Sequence, residues 1–361
     1  MGTITSRKRK DGTLGHTAQI RIKRNGEVVH TESQTFDRKP AATAWLKKRE
    51  SELSEPGAIE ALKAPDPTLA RVIDQYLEES KRDYGKTKKQ VLRTIKASAI
   101  GRMKCSEIGS AQVLEFAQSL KSKPQTVGNY LAHLASVFAV AKPAWGYPLD
   151  KTAIDDARTV GKRMGVTSRS KQRDRRPEVA ELDKIMEYYA ASRRKRSDNI
   201  PMQDVVLFAI YSTRRLEEIT RITMDDFDEA RGEIVVRDMK HPGEKIGNDV
   251  RVNLPPEAIA IIKRQGIKTG RIFPFNGDSI STSFTRACKY LGIEDLHFHD
   301  FRHDGISRLF EMGSTIPQAA TVSGHRTWVS LKRYTHIRQT GDKYAGWQWN
   351  PLTSPSQPDP A

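Results

Sequence analysis

Three short segments follow one another in the last third of the chain: His299-Asp300-Phe301-Arg302, then Ser323-Gly324-His325, then Arg333-Tyr334-Thr335-His336. The first sets an imidazole and a guanidinium one helical turn apart. Tyr334 comes nine positions after His325. Upstream, Tyr211-Ser212-Thr213-Arg214-Arg215-Leu216-Glu217-Glu218-Ile219 spaces Arg215 and Glu218 three apart, on one helical face. Taken singly these are weak signals, because most Arg and Glu pairs at that spacing are surface ion pairs. Their order along the chain is what carries information.

Working outward, the surrounding residues read as a mixed, mainly helical domain over 178–345. Helices are expected near 179–192 and 201–212, β-like stretches at Glu233-Ile234-Val235-Val236 and Val250-Arg251-Val252, and further helices to about 337. Before it, residues 161–177 hold seven basic residues, one acid and almost nothing to bury, which reads as a flexible basic joint along a phosphate backbone. Arg163, Arg169, Lys171 and Arg173 are its candidate DNA contacts. Residues 66–160 read as a helical bundle: Leu69, Val72, Ile73, Tyr76 and Leu77 share one face, and Val127, Tyr130, Leu131, Leu134 and Phe138 repeat the pattern. At the start, residues 1–55 read as a three-stranded sheet plus a helix. Ala18, Ile20 and Ile22 alternate with polar residues, Asn25-Gly26 is a preferred two-residue turn, and Pro40 opens the helix. The fold class is therefore multidomain α+β. Residues 1–50 hold twelve Lys or Arg against five Asp or Glu, so the sheet is either a major-groove reader through Lys8, Arg9, Lys10, Arg21 and Lys23 or a solvated basic surface. The first reading is favoured.

The whole chain, 361 residues with 37% apolar, is long enough for two or three cores. Its formal charge of +17 suits a polyanionic partner. The sequence contains no run of 18 apolar residues and no amino-terminal apolar segment with a cleavage site, which points away from a membrane and towards the cytoplasm. Cys105 and Cys288 have no Cys or His at ligand spacing, so neither a disulfide framework nor a zinc site is supported.

An Arg, then His-x-x-Arg, then Gly-His, then Tyr about nine residues later resembles the active-site signature of the tyrosine recombinases of the phage integrase type. That family also places a lysine in a β-hairpin between the first arginine and the His-x-x-Arg segment, a position that Lys240 fits. The resemblance extends over nearly the whole chain. Pro124-Gln125-Thr126-Val127-Gly128-Asn129-Tyr130-Leu131 is similar to the core-binding domain, and the amino-terminal sheet to the arm-binding domain of many integrases. One departure stands out: the first segment usually reads Gly-Leu-Arg, whereas this chain has Thr213-Arg214-Arg215. The register to Glu218 selects Arg215, with Arg214 as the alternative.

The resemblance implies a catalytic set of Arg215, Lys240, His299, Arg302, His325 and Tyr334, supported by Glu218. Tyr334 would be the nucleophile, Arg215 and Arg302 would grip the non-bridging oxygens, His299 would be the general base and Lys240 the general acid. His325 would donate a hydrogen bond to the phosphate and Glu218 would orient Arg215. His297, His303 and His336 are read as structural or solvated, and Asp300 and Asp304 as capping or supporting residues. No metal, cofactor or ATP is called for. The implied partners are double-stranded DNA at core and arm sites, three further copies in a homotetramer acting through a Holliday junction, a host DNA-bending protein and a directionality factor. Residues 346–361 read as a flexible tail, or, through Trp347 and Trp349, as an anchor on a neighbouring protomer. A type IB-like topoisomerase and an inactive DNA-binding regulator are the competing functions.

Overall fold

The computed structural model describes residues 2–9, 12–55, 58–59, 65–170, 173–195, 200–239 and 247–353. Lys10, Lys171 and Lys240 lie outside these residues, as does the end of the expected tail. The chain divides into two compact units, Met1–Lys171 and Gln172–Ala361.

In the first unit, β1 (Gly2–Lys8), β2 (Leu14–Arg24) and β3 (Glu27–Phe36) form an antiparallel meander in that order. Asn25 and Gly26 both take positive φ, 51° and 86°, the backbone that a two-residue turn needs to match strand twist. A register shift between Ile22 and Lys23 absorbs one residue as a bulge. Ala18 and Ile20 face inward beneath α1 (Lys39–Ser54), which buries Ala42 and Leu53, while Phe36 meets Trp45 at 5.8 Å. The helical part comprises α2 (Leu69–Glu78), α3 (Lys86–Ala97), α4 (Ser110–Ser119), α5 (Pro124–Trp145) and α6 (Lys151–Arg163). Pro124 at the first turn opens α5 and Gly146, at φ 69°, closes it. Leu69, Val72 and Ile73 pack with Leu131, Leu134 and Phe138, as their spacing implies, and Cys105 joins that core.

The expected flexible joint is more ordered than its composition suggests. Residues 161–163 are the last turn of α6, and Thr167 N donates to Gly161 O at 3.1 Å, folding the chain back on the helix end. Gly161 is buried, with Leu114 and Thr167 side chains 3.7 Å from where a Cβ would stand.

The second unit contains α7 (Val179–Lys195) and α8 (Met202–Ser212), then a single helical turn at Leu216–Ile219. A small antiparallel sheet follows: β4 (Phe227–Asp228), β5 (Glu233–Val236) and β6 (Val250–Asn253). Four more helices complete it: α9 (Pro256–Arg264), α10 (Gly277–Tyr290), α11 (Asp300–Glu311) and α12 (Ile316–Ser323). Every residue of α8 except Gln203 is buried, so this helix is the centre of the unit. α11 crosses it closely at Gly305, where a Cβ would stand 2.0 Å from Ile210 O. Only a glycine allows that approach. Among the described residues no helix is long and apolar enough to cross a membrane.

Part of the expected tail packs on its own unit. Trp347 is buried, its indole Nε1 donates to Asp183 Oδ1 at 2.7 Å, and its ring lies 5.0 Å from Tyr344. The reading of 346–361 as flexible is therefore corrected for Trp347, because burying an indole beside a buried phenol outweighs the mobility suggested by the Ser- and Pro-rich residues beyond.

Candidate active site

The site starts where α8 ends. Thr213 takes a left-handed backbone, φ 59°, which is costly for a β-branched residue. The turn directs the Thr213 carbonyl at Arg302, whose Nη1 donates to it. Arg214 then points inward. Its guanidinium is fully buried and donates to Ser212 O at 3.0 Å and to Val322 O, tying α8 to α12. Arg215 points the other way and stays 29% exposed. Only Arg215 of the two is open to a ligand.

Glu218 is the common counterion. It accepts the Arg215 backbone N–H at 3.1 Å and Arg215 Nη1 at 2.7 Å, and lies 3.9 Å from both Arg214 and Arg302. Burial would raise its carboxyl, but Arg214, Arg302 and Arg215 hold it below the usual range. Three guanidinium groups around one buried carboxylate leave the cluster with an excess of positive charge.

Arg302 comes from the first turn of α11. Besides Thr213 O, it donates through Nη2 to Ser323 O at 3.0 Å and approaches His325 Nε2 at 3.5 Å. Burial, with Arg214 and Arg215 beside it, pushes this guanidinium down to about 9, which still leaves it cationic at neutral pH. His325 is aimed by Gly324, the left-handed end of α12 at φ 70°, where a Cβ would stand 2.6 Å from Met239 Cε. Its Nδ1 pairs with Ser323 Oγ at 2.8 Å. Burial and then Arg302, Arg215 and Arg214 push His325 down to about 3, so it is neutral near pH 7.

Tyr334 sits in a short 3-10 turn, Lys332–Tyr334, with its ring stacked on Phe310 at 6.0 Å. Its hydroxyl is 2.6 Å from His303 Nδ1. Burial raises the phenol, against the opposing pull of Arg333 and Arg302. His299, expected beside Tyr334, instead meets the edge of the His303 ring at 5.0 Å. Although His299 is exposed, desolvation within the site and the cations Arg302 and Arg215 lower it. His303 was read as structural or solvated from sequence, yet it is the group at the phenol. Its position directly after Arg302, four after His299, was the available signal.

The structure thus gathers Arg215, Glu218, His299, Arg302, His325 and Tyr334. For Lys240, only the flanking pairing is described: Met239 N donates to Asn248 O at 2.8 Å. Asp300 caps the start of α11, accepting His297 N at 2.8 Å, and Asp304 is buried between Arg176 and Lys343, each at 2.7 Å. Of the expected DNA contacts, Lys8, Arg9, Arg21, Lys23, Arg163 and Arg169 are exposed, with Arg9 paired to Asp37 at 2.8 Å. Arg173 is a correction. Its guanidinium is taken by Asp295 at 2.7 Å and by buried Asp300 at 2.8 Å, so it serves α11 rather than a free phosphate-binding surface.

Comparison with known proteins adds three findings. Residues 176–340 match the phage integrase family. The shufflon-specific DNA recombinase of Escherichia coli is 31% identical over 216 residues, which are 59% of this chain and 51% of that protein, so the chain spans about half the length of this relative. Two solved structures share the fold at low identity. A lambda integrase dimer bound to a COC′ core site matches 91% of this chain and 94% of its own at 17% identity and a TM-score of 0.60. The Tn1549 transposon integrase in complex with a circular intermediate DNA matches 74% and 94% at 12% identity and a TM-score of 0.58. The segment that holds the arginine, histidine and tyrosine cluster, residues 176–340, thus matches the phage integrase family, and the fold along most of the chain resembles that of the solved integrases.

Proposed function

We propose that this chain is a site-specific DNA recombinase that cuts and rejoins strands through a covalent bond to Tyr334, integrating or excising a phage or other mobile element. The observation that carries this reading is the Arg214, Arg215 and Arg302 group around a single carboxylate, with a tyrosine hydroxyl held by an imidazole beside it. Such a cluster is short of negative charge, and a phosphodiester supplies it. Arg215 and Arg302 grip the non-bridging oxygens through planar, multiply donating groups and stabilise the charge that builds up on the phosphorane. Neutral His325 adds a hydrogen bond there.

Tyr334 Oη attacks phosphorus, the bond to the 5′ oxygen breaks, and the phenol proton passes to a neighbouring imidazole. Lys240 is the proposed donor of a proton to the departing 5′ oxygen. The 3′-phosphotyrosine keeps the energy of the broken bond, so attack by a 5′ hydroxyl of another strand reseals DNA without ATP or a metal. Two duplexes exchanged strand by strand pass through a Holliday junction held by four copies of the chain. The neighbouring folds support this, being a lambda integrase dimer on a core site and a tetramer on a Holliday junction. The bundle of residues 66–160 would grip core DNA and the basic sheet of 1–55 arm DNA, with a host DNA-bending protein and a directionality factor assisting.

The test is incubation of the purified chain, without magnesium or ATP, with nicked duplexes built from the attachment region flanking its gene. A covalent protein–DNA band in the wild type that is lost in Tyr334→Phe supports the reading. Binding without a band in either protein contradicts it.

A further inference from the structure

Given the recombinase reading, on which this inference rests, we propose that His303, and not His299, is the group that takes the phenol proton when Tyr334 attacks phosphorus. The geometry separates the two histidines. His303 Nδ1 lies 2.6 Å from Tyr334 Oη, while His299, one turn earlier, presents its ring to His303 at 5.0 Å and an interplanar angle of 85°. Among the described residues, no hydrogen bond joins His299 to Tyr334. A general base must first be within hydrogen-bond reach of the proton it removes, and of these two histidines only His303 meets that condition.

The placement is fixed on both sides. His303 follows Arg302 on α11, so the imidazole and the phosphate-gripping guanidinium are positioned by the same backbone. Arg302 is anchored to Thr213 O and Ser323 O. His303 is one of the few residues of α11 that is not fully buried. Tyr334 is held by its stacking on Phe310, and its neighbour Arg333 is anchored to Asp174 Oδ1 and to Arg173 O, each at 2.5 Å.

The charge around His303 suits a base that works only with substrate in place. Burial, then His299, Arg333 and Arg302, outweigh Asp300 and push its imidazole down to about 4, so its lone pair is free at neutral pH. A phosphodiester on Arg215 and Arg302 offsets the cations that weaken it. Its proton affinity therefore rises at the moment the phenol must lose its proton. In the step, the Tyr334 Oη–phosphorus bond forms, the phosphorus–5′ oxygen bond breaks, the phenol proton moves to His303 Nδ1, and the 5′ oxygen takes a proton from the separate acid.

The experiment measures single-turnover cleavage of a nicked duplex by the full chain, with an ordinary scissile phosphate and with sulfur in place of the bridging 5′ oxygen. The sulfur leaves without an acid, so it rescues a lost acid and not a lost base. His303→Asn, which keeps a polar group near the Nδ1 position, is expected to slow cleavage by about 10² to 10⁴ on both substrates. His299→Asn is expected to lose less. His303→Ala is expected to recover part of its rate with added imidazole, which a purely structural defect would not do. His303→Asn within threefold of wild type overturns the proposal, as does full recovery on the sulfur substrate. A wild-type chain that forms no adduct overturns the recombinase reading and this inference with it, whereas a wild-type adduct with unimpaired His303→Asn overturns the inference alone.

Discussion

The carbonyl of Thr213, turned by a left-handed backbone at φ 59°, accepts a hydrogen bond from the guanidinium of Arg302. One strained residue at the end of α8 thus fixes the arginine that α11 supplies. Arg302→Ala is expected to cut cleavage by at least about 10² to 10³, the usual loss for one positioned donor at developing charge. Arg302→Lys is expected to fall nearly as far, since one ammonium cannot serve Thr213 O, Ser323 O and a phosphate together. Single-turnover rates with DNA binding measured in parallel check both.

Glu218 holds three guanidinium groups at 2.7 to 3.9 Å. Removing it leaves buried positive charge without a counterion, so Glu218→Ala is expected to destabilise the second unit by about 3–5 kcal/mol. Urea denaturation followed by tryptophan fluorescence measures this. A loss below about 1 kcal/mol would mean the arginines find other partners.

Gly305 is where α11 meets α8. Gly305→Ala would push a methyl against Ile210 O and is expected to cost about 1–3 kcal/mol or more through overpacking. A melting temperature equal to wild type would show that the helices can separate.

Stability should fall on mild acidification. His325 and His303 are pushed down to about 3 and 4 in the folded chain, and His299 and His133 are lowered as well, against an ordinary value of 6.5. The unfolded chain therefore takes up protons below about pH 6.5 that the folded chain refuses, and stability is lost as pH falls from about 6.5 towards 4. Scanning calorimetry at pH 7, 6 and 5 should give a steadily falling melting temperature. A flat profile would contradict the burial of neutral imidazoles.

Trp347→Ala removes a buried indole and its bond to Asp183. A loss of about 3–5 kcal/mol is expected in the isolated chain at any protein concentration. Destabilisation that appears only in assembled protein would instead place this tryptophan on a neighbour.

Much of this was legible in the sequence because period and turn chemistry are local. Asn25-Gly26 and Pro40 each mark their element through a backbone preference of their own, and the faces of α2 and α5 follow from spacing. The register to Glu218 selects Arg215 over Arg214, and the fold buries the Arg214 side chain while leaving that of Arg215 29% exposed. His303 was not legible as a partner of Tyr334, since the contact spans 31 positions and depends on how the Tyr334 turn packs on α11. Charge counting also misread Arg173. A basic segment looks solvated until the carboxylates that meet it, Asp295 and Asp300, are brought together by the fold.

The most direct test of the central claim is to map the attachment site. The covalent complex trapped on a nicked duplex is digested with protease and nuclease, and the nucleotide-bearing peptide is sequenced by mass spectrometry. The account predicts a single adduct on Tyr334, joined through a 3′ phosphate. An adduct on any other residue, or one that persists in Tyr334→Phe, would contradict it.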